Sequence, residues 1–143
     1  MGTCTFFGHR DAPFDVTHAV LREAVVELIE KCAVSDFYVG NEGCFDRMVQ
    51  TVLAGLEKKY PHIRCCIVLA YHPRGRKSEY PPPLETIYPE ELTVVMPRFA
   101  IPARNRWMLD RSDYVVTCIR HSWGGAARFA AMAEARRKQI VAL

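Results

Sequence analysis

Short apolar runs alternate with segments of helical periodicity along almost the whole chain, and this rhythm constrains the fold more than any other feature. Thr3 to Phe7 is a strand ending in Gly8-His9-Arg10. From about Asp15 to Cys32 the apolar positions take helical spacing, with Val20, Ala24 and Leu28 in one row and Leu21, Val25 and Ile29 beside it. Asp36 to Val39 is a second strand, stopped by Gly40-Asn41-Glu42-Gly43. Met48, Val49, Val52, Leu53 and Leu56 then mark a second amphipathic helix. Arg64 to Ala70 is nearly all apolar, as a strand covered on both faces should be. Leu92 to Met96 reads as a strand, Ala103 to Arg111 as a helix, Tyr114 to Ile119 as a strand, Gly125 to Arg137 as a helix and Ile140 to Leu143 as a short strand. Such alternation predicts an α/β fold, a Rossmann-like three-layer sandwich with a mostly parallel sheet.

Between Tyr71 and about Glu91 the rhythm breaks. Pro81-Pro82-Pro83 admits neither helix nor central strand, and Arg74-Gly75-Arg76-Lys77 adds a basic cluster, so a long surface loop is expected. The 143 residues show no internal repeat and suffice for one domain spanning 1–143 with a substantial core. A formal charge of +3 is too small to argue for a nucleic-acid binder. No apolar run approaches the ~20 residues that span a bilayer, and the first residues lack the basic and apolar regions of a signal peptide. No membrane association and a cytoplasmic location are therefore expected. The six cysteines lack the paired spacing of a zinc or redox site and read as reduced, mostly core residues. Cys44 stands apart, at a helix start where a thiolate would be stabilised, with a small packing residue as the alternative. No metal site is expected.

In sheets of this kind ligands lie beyond the carboxyl ends of the strands, near the point where strand order reverses. Gly8-His9-Arg10, Gly40-Asn41-Glu42-Gly43 and Ser122-Trp123-Gly124-Gly125-Ala126 each follow a strand, and the helix carrying Arg104-Asn105-Arg106 follows a fourth. All four are expected at one edge. A helix start offers unpaired N–H groups and the positive end of the dipole, and Gly43 and Gly124-Gly125 would let an anion approach that backbone, the alternative being that they only make tight turns. Arg10, Arg104 and Arg106 supply forks suited to phosphate or carboxylate. Arg104 and Arg106, two apart on a helix, cannot share a face, so one is expected at the ligand and the other paired with Asp110 or Asp113. His9, Glu42 and Asp46 are the candidates for acid or base chemistry or for holding a ribose; a turn bond for His9 and helix capping for Asp46 are the structural alternatives. Trp107 and Trp123 are candidates for base stacking or plain packing. No dinucleotide fingerprint, P-loop or Ser-His-Asp motif occurs.

The chain resembles the SLOG superfamily, the Rossmann-like group that includes LOG-type nucleotide phosphoribohydrolases, DNA-processing protein A and small bacterial YpsA-like proteins. Carrying the resemblance are Cys4-Thr5-Phe6-Phe7-Gly8-His9-Arg10, Gly40-Asn41-Glu42-Gly43 with Asp46, Arg104-Asn105-Arg106 with Met108 and Asp113, and Gly124-Gly125-Ala126. It implies a nucleotide or nucleotide-derived ligand, with phosphate at the glycine loops and no required cofactor. Related proteins commonly dimerise, which adds a homodimer to the partners to be considered and leaves the oligomeric state open. LOG-type hydrolases carry P-G-G-x-G-T-x-x-E at the second glycine loop. Here Gly124-Gly125 runs into Ala126-Ala127-Arg128-Phe129-Ala130-Ala131, lacking both the threonine and the catalytic glutamate. A cytoplasmic sensor or sequestering module for a nucleotide or a cyclic ADP-ribose-like signal is the leading expectation. An enzyme acting on an N-glycosidic or phosphate bond is the second, and a DNA-binding accessory protein using the basic loop the third.

Overall fold

The computed structural model describes residues 2–11, 15–72 and 84–143. Six strands form one sheet: β1 (Gly2–Gly8), β2 (Val34–Val39), β3 (Arg64–Val68), β4 (Glu85–Ile87), β5 (Tyr114–Cys118) and β6 (Gln139–Ala142). Their order is β4-β3-β2-β1-β5-β6, and every pairing is parallel. Four helices, α1 (His18–Cys32), α2 (Cys44–Lys59), α3 (Ala100–Asp110) and α4 (Gly125–Ala135), cover its two faces. This is the Rossmann-like sandwich expected from the alternation, with a sheet parallel throughout. Among the described residues no helix is long and apolar enough to cross a membrane.

Each face has its own core. Leu21, Val25, Leu28 and Ile29 of α1 and Phe45, Val49, Leu53 and Leu56 of α2 pack with Phe6, Phe37, Val39 and Ile67 on one side. Met108 and Leu109 of α3 and Phe129 and Ala133 of α4 pack with Phe7, Val68 and Val115 on the other. Residues 4 to 7 of β1 are all buried, as a strand with helices on both faces requires. The α1 face is narrower than expected, because Val20 is turned to solvent. Thr17 caps α1 by accepting from the Val20 N–H at 3.2 Å. Asp113 locks β5 onto β1: its N–H donates to Thr3 O and its carboxylate accepts from the Thr3 N–H.

The segment after residue 84 departs from expectation. The expected strand Leu92 to Met96 is instead a 3-10 turn over Glu90–Val94, followed by a second over Pro97–Phe99. Within Leu92 to Met96 only Leu92 is buried, and Val94 is 87% exposed, so a strand there would have had no continuous face to bury. The sheet takes Glu85–Ile87 instead, inside the expected loop, pairing Cys66 with Glu85 and Val68 with Ile87. The Arg64–Glu85 ion pair, 2.9 Å, ties this short edge strand to its neighbour. The basic cluster Arg74 to Lys77 and the proline run lie outside the described residues.

Candidate functional site

Strand order reverses at β1, which has β2 on one side and β5 on the other. At the carboxyl ends of these strands lies a cavity of about 370 Å³. That size falls toward the small end of ligand sites, which run to ~300–1,000 Å³. Gly8, His9 and Arg10 line it from β1; Gly40, Glu42 and Asp46 from the β2 exit and the start of α2; Arg104 and Asn105 from α3; and Gly124, Gly125 and Ala126 from the start of α4. The four segments singled out in the sequence therefore meet.

They do not all face the cavity. Asn41 is exposed and accepts from Gln50 Nε2, which also donates to Gly40 O, while Ser122 is exposed at the rim; neither lines the cavity. Gly43, with φ of 98°, makes a tight turn against Arg10: a β-carbon there would lie 2.5 Å from Arg10 Cα. The first N–H of α2, from Cys44, donates to Arg10 O at 2.9 Å. Cys44 does begin α2 and is exposed. The glycine pair at α4 is different, because Gly124 has φ of 92° and a β-carbon on either glycine would meet nothing within 4 Å. Open backbone N–H groups at a helix start are thus offered at α4.

Arg104 and Arg106 separate as helical geometry demands. Arg104 is 2% exposed; its Nε donates to Asn105 Oδ1 at 2.8 Å and its Nη1 to Val68 O at 3.1 Å. Its Nη2 has no partner among the described residues, and burial pulls the guanidinium below its ordinary pKa, with Asp46 opposing the shift. Arg106 is exposed and away from the cavity. Its expected pairing does not form, because Asp110 takes Arg136 and Asp113 takes the Thr3 backbone. Trp107 packs edge-on to Tyr38 under the Arg111 guanidinium, outside the cavity, so packing is its role.

Gly40 explains how Arg104 and Asp46 come together. A β-carbon at Gly40 would lie 2.9 Å from both the Arg104 guanidinium carbon and Asp46 Oδ2, so only glycine lets the two charges converge over the β2 exit. No ion pair joins them. Asp46 Oδ2 accepts from the Glu42 N–H at 2.8 Å, a bond to the turn before α2 and not to the helix's own N–H groups, so the expected helix cap does not form, and the carboxyl lines the cavity. Burial raises its pKa to about 6, against lowering by the Glu42 N–H and Arg104.

His9 makes the turn bond: its Nε2 accepts from the Arg120 N–H at 3.0 Å and from the His121 N–H at 3.4 Å. The ring is then neutral with its proton on Nδ1, and burial and the neighbouring His121 both hold its pKa below the ordinary value. His121, which sequence reasoning missed, stacks on His9 at 3.5 Å, and Trp123 stacks on His121 at 3.9 Å. The signal for His121 is the parallel pairing of Gly8 with Cys118, which brings the two strand exits side by side, and that register is not written in either segment alone.

Among the described residues no group of three His, Cys, Asp or Glu side chains could hold a metal ion. No protein-family model matches the chain, and no curated protein matches it.

Proposed function

We propose that the chain is a nucleotide-binding protein, a SLOG-like sensor or sequestering module that takes a mononucleotide-sized ligand at the β1–β5 strand exits. One observation carries the reading: the open start of α4 at Gly124-Gly125 and the buried Arg104 guanidinium line the same cavity, one with backbone donors and the other with a fork. Burying an arginine is costly, and a phosphate or carboxylate on its remaining nitrogen would offset that cost. Asp11, Glu42 and Asp46 also line the cavity and suit hydroxyl groups.

The test is calorimetry with a nucleoside monophosphate and the matching nucleoside. Arg104→Ala is expected to weaken the phosphorylated ligand by about 1.5–3 kcal/mol, roughly ten- to a hundredfold, and the nucleoside far less. Arg106→Ala should leave both unchanged. Equal losses for the two ligands in Arg104→Ala would place the phosphate elsewhere, and no binding at millimolar nucleotide would sink the reading. Gly125→Val should weaken the phosphorylated ligand with little loss of stability, because its side chain enters open space. Unchanged affinity would remove the α4 start from the site.

Asp46 favours a second reading, an enzyme that cleaves an N-glycosidic bond. A buried carboxyl held near neutrality beside a cation is the kind of group such chemistry uses. Ala130 and Ala131, where LOG-type hydrolases keep their glutamate, lie off the cavity. Release of free base from nucleoside monophosphates, abolished by Asp46→Asn or Glu42→Gln, would establish this reading over simple binding.

A further inference from the structure

Trp123 is 70% exposed at the rim of the cavity, an unusual place to leave an indole. It is nevertheless held. His9 is fixed by accepting two backbone N–H groups through Nε2, His121 lies parallel to it at 18°, and Trp123 lies parallel to His121 at 17°. A ring covered on one face by a parallel neighbour at 3.9 Å can owe such exposure only to its edges and its other face. The stack therefore ends in a free aromatic face, already oriented, next to the open start of α4. Gly124 and Gly125 directly follow Trp123 in the chain, so the platform and the open N–H groups belong to one turn.

We infer that the outer face of Trp123 seats an aromatic heterocycle, a nucleobase, and that His9 and His121 serve to hold that face in place. The inference rests on the nucleotide reading and adds to it the part of the ligand that Arg104 cannot recognise. A face fixed before binding loses little side-chain freedom on binding, which is how rigid aromatic residues gain affinity in recognition sites. Stacking makes no demand on hydrogen-bond pattern, so the platform selects for an aromatic base over a bare sugar phosphate and discriminates weakly among bases.

The probes are adenosine 5′-monophosphate and ribose 5-phosphate, followed by calorimetry and by tryptophan fluorescence. The monophosphate is expected to quench the emission and to bind more tightly than the sugar phosphate. Trp123→Leu should weaken the monophosphate about ten- to a hundredfold, the range for loss of one base stack, while leaving ribose 5-phosphate unchanged. Trp123→Phe should keep the affinity within a few-fold and lose the quenching, since Trp107 packs outside the cavity. Wild-type affinity for the monophosphate in Trp123→Leu would overturn the inference, as would equal affinity of the wild type for the two probes; in both cases the anion site stands. Failure of both probes to bind at millimolar concentration would instead overturn the nucleotide reading, and the platform with it.

Discussion

A single methyl group on Gly8 is expected to destabilise the protein by about 3 kcal/mol, the upper part of the range for overpacking a core. The Gly8→Ala β-carbon would lie 2.2 Å from Phe45 Cδ1, 2.3 Å from Cγ and 2.8 Å from Cβ. Phe45 is 1% exposed and is held close to its own backbone at those atoms, so a rotamer change cannot clear the clash. Either α2 moves off β1 or the strand bends. Urea unfolding of Gly8→Ala reads the loss directly, and the double variant with Phe45→Ala should recover part of it, because the clashing ring is then gone. A loss below about 0.5 kcal/mol in the single variant would mean that the β1–α2 contact is looser than described.

Asp46→Asn is expected to stabilise the protein at neutral pH and to do so less as the pH falls. Folding raises this carboxyl from its ordinary 3.8 to about 6, chiefly by burial. Above about pH 6 the group is ionised in both folded and unfolded chains, and the folded one carries the full cost of a buried charge. Between about 6 and 3.8 the folded chain holds the proton more tightly, and the cost disappears. The rise corresponds to about 3 kcal/mol at most, at 1.36 kcal/mol per pH unit. The advantage of Asp46→Asn over the wild type should therefore be near that figure at pH 7.5 and close to nothing at pH 4. Comparing the two proteins at each pH cancels the His9 contribution, which runs the other way: its depressed pKa lowers stability as the pH falls through its unfolded value. Asn can still accept from the Glu42 N–H, so the bond to the turn before α2 is kept. An advantage independent of pH would show that the carboxyl is not titrating as described.

One stretch of the sequence differed from the rest in how openly it declared its structure. Residues 2 to 68 follow the simple periodicities, and the elements there appear within two or three residues of expectation, because each buries a continuous apolar face. The stretch from Leu84 to Phe99 did not, since Leu92-Thr93-Val94-Val95 has strand-like composition with Pro89 and Pro97 bracketing it, and local composition cannot reveal which residues will find a face to cover. A three-residue strand such as Glu85–Ile87 carries almost no periodic signal. At the site, glycine, arginine and acid signals located the cavity, and the spacing of Arg104 and Arg106 announced that they would part. Which of the two turns inward was decided by the placement of α3 on the β3 exit, through Val68 O, a contact between residues 36 apart. The partnership of His9 with His121, 112 residues apart, was invisible for the same reason.

That separation has a consequence for how the cavity comes into being. Its walls come from the chain near residues 8, 42, 104 and 124, and they meet only because β5 lies beside β1, with β2 on the other side. Local fraying can open a site built within one hairpin; here the walls are complete only when β5 is paired with β1. A bound ligand should accordingly slow hydrogen exchange in the most protected amides of β1 and β5 as well as at the rim, because it binds only the assembled site and so raises the free energy of the global opening that frees those strands.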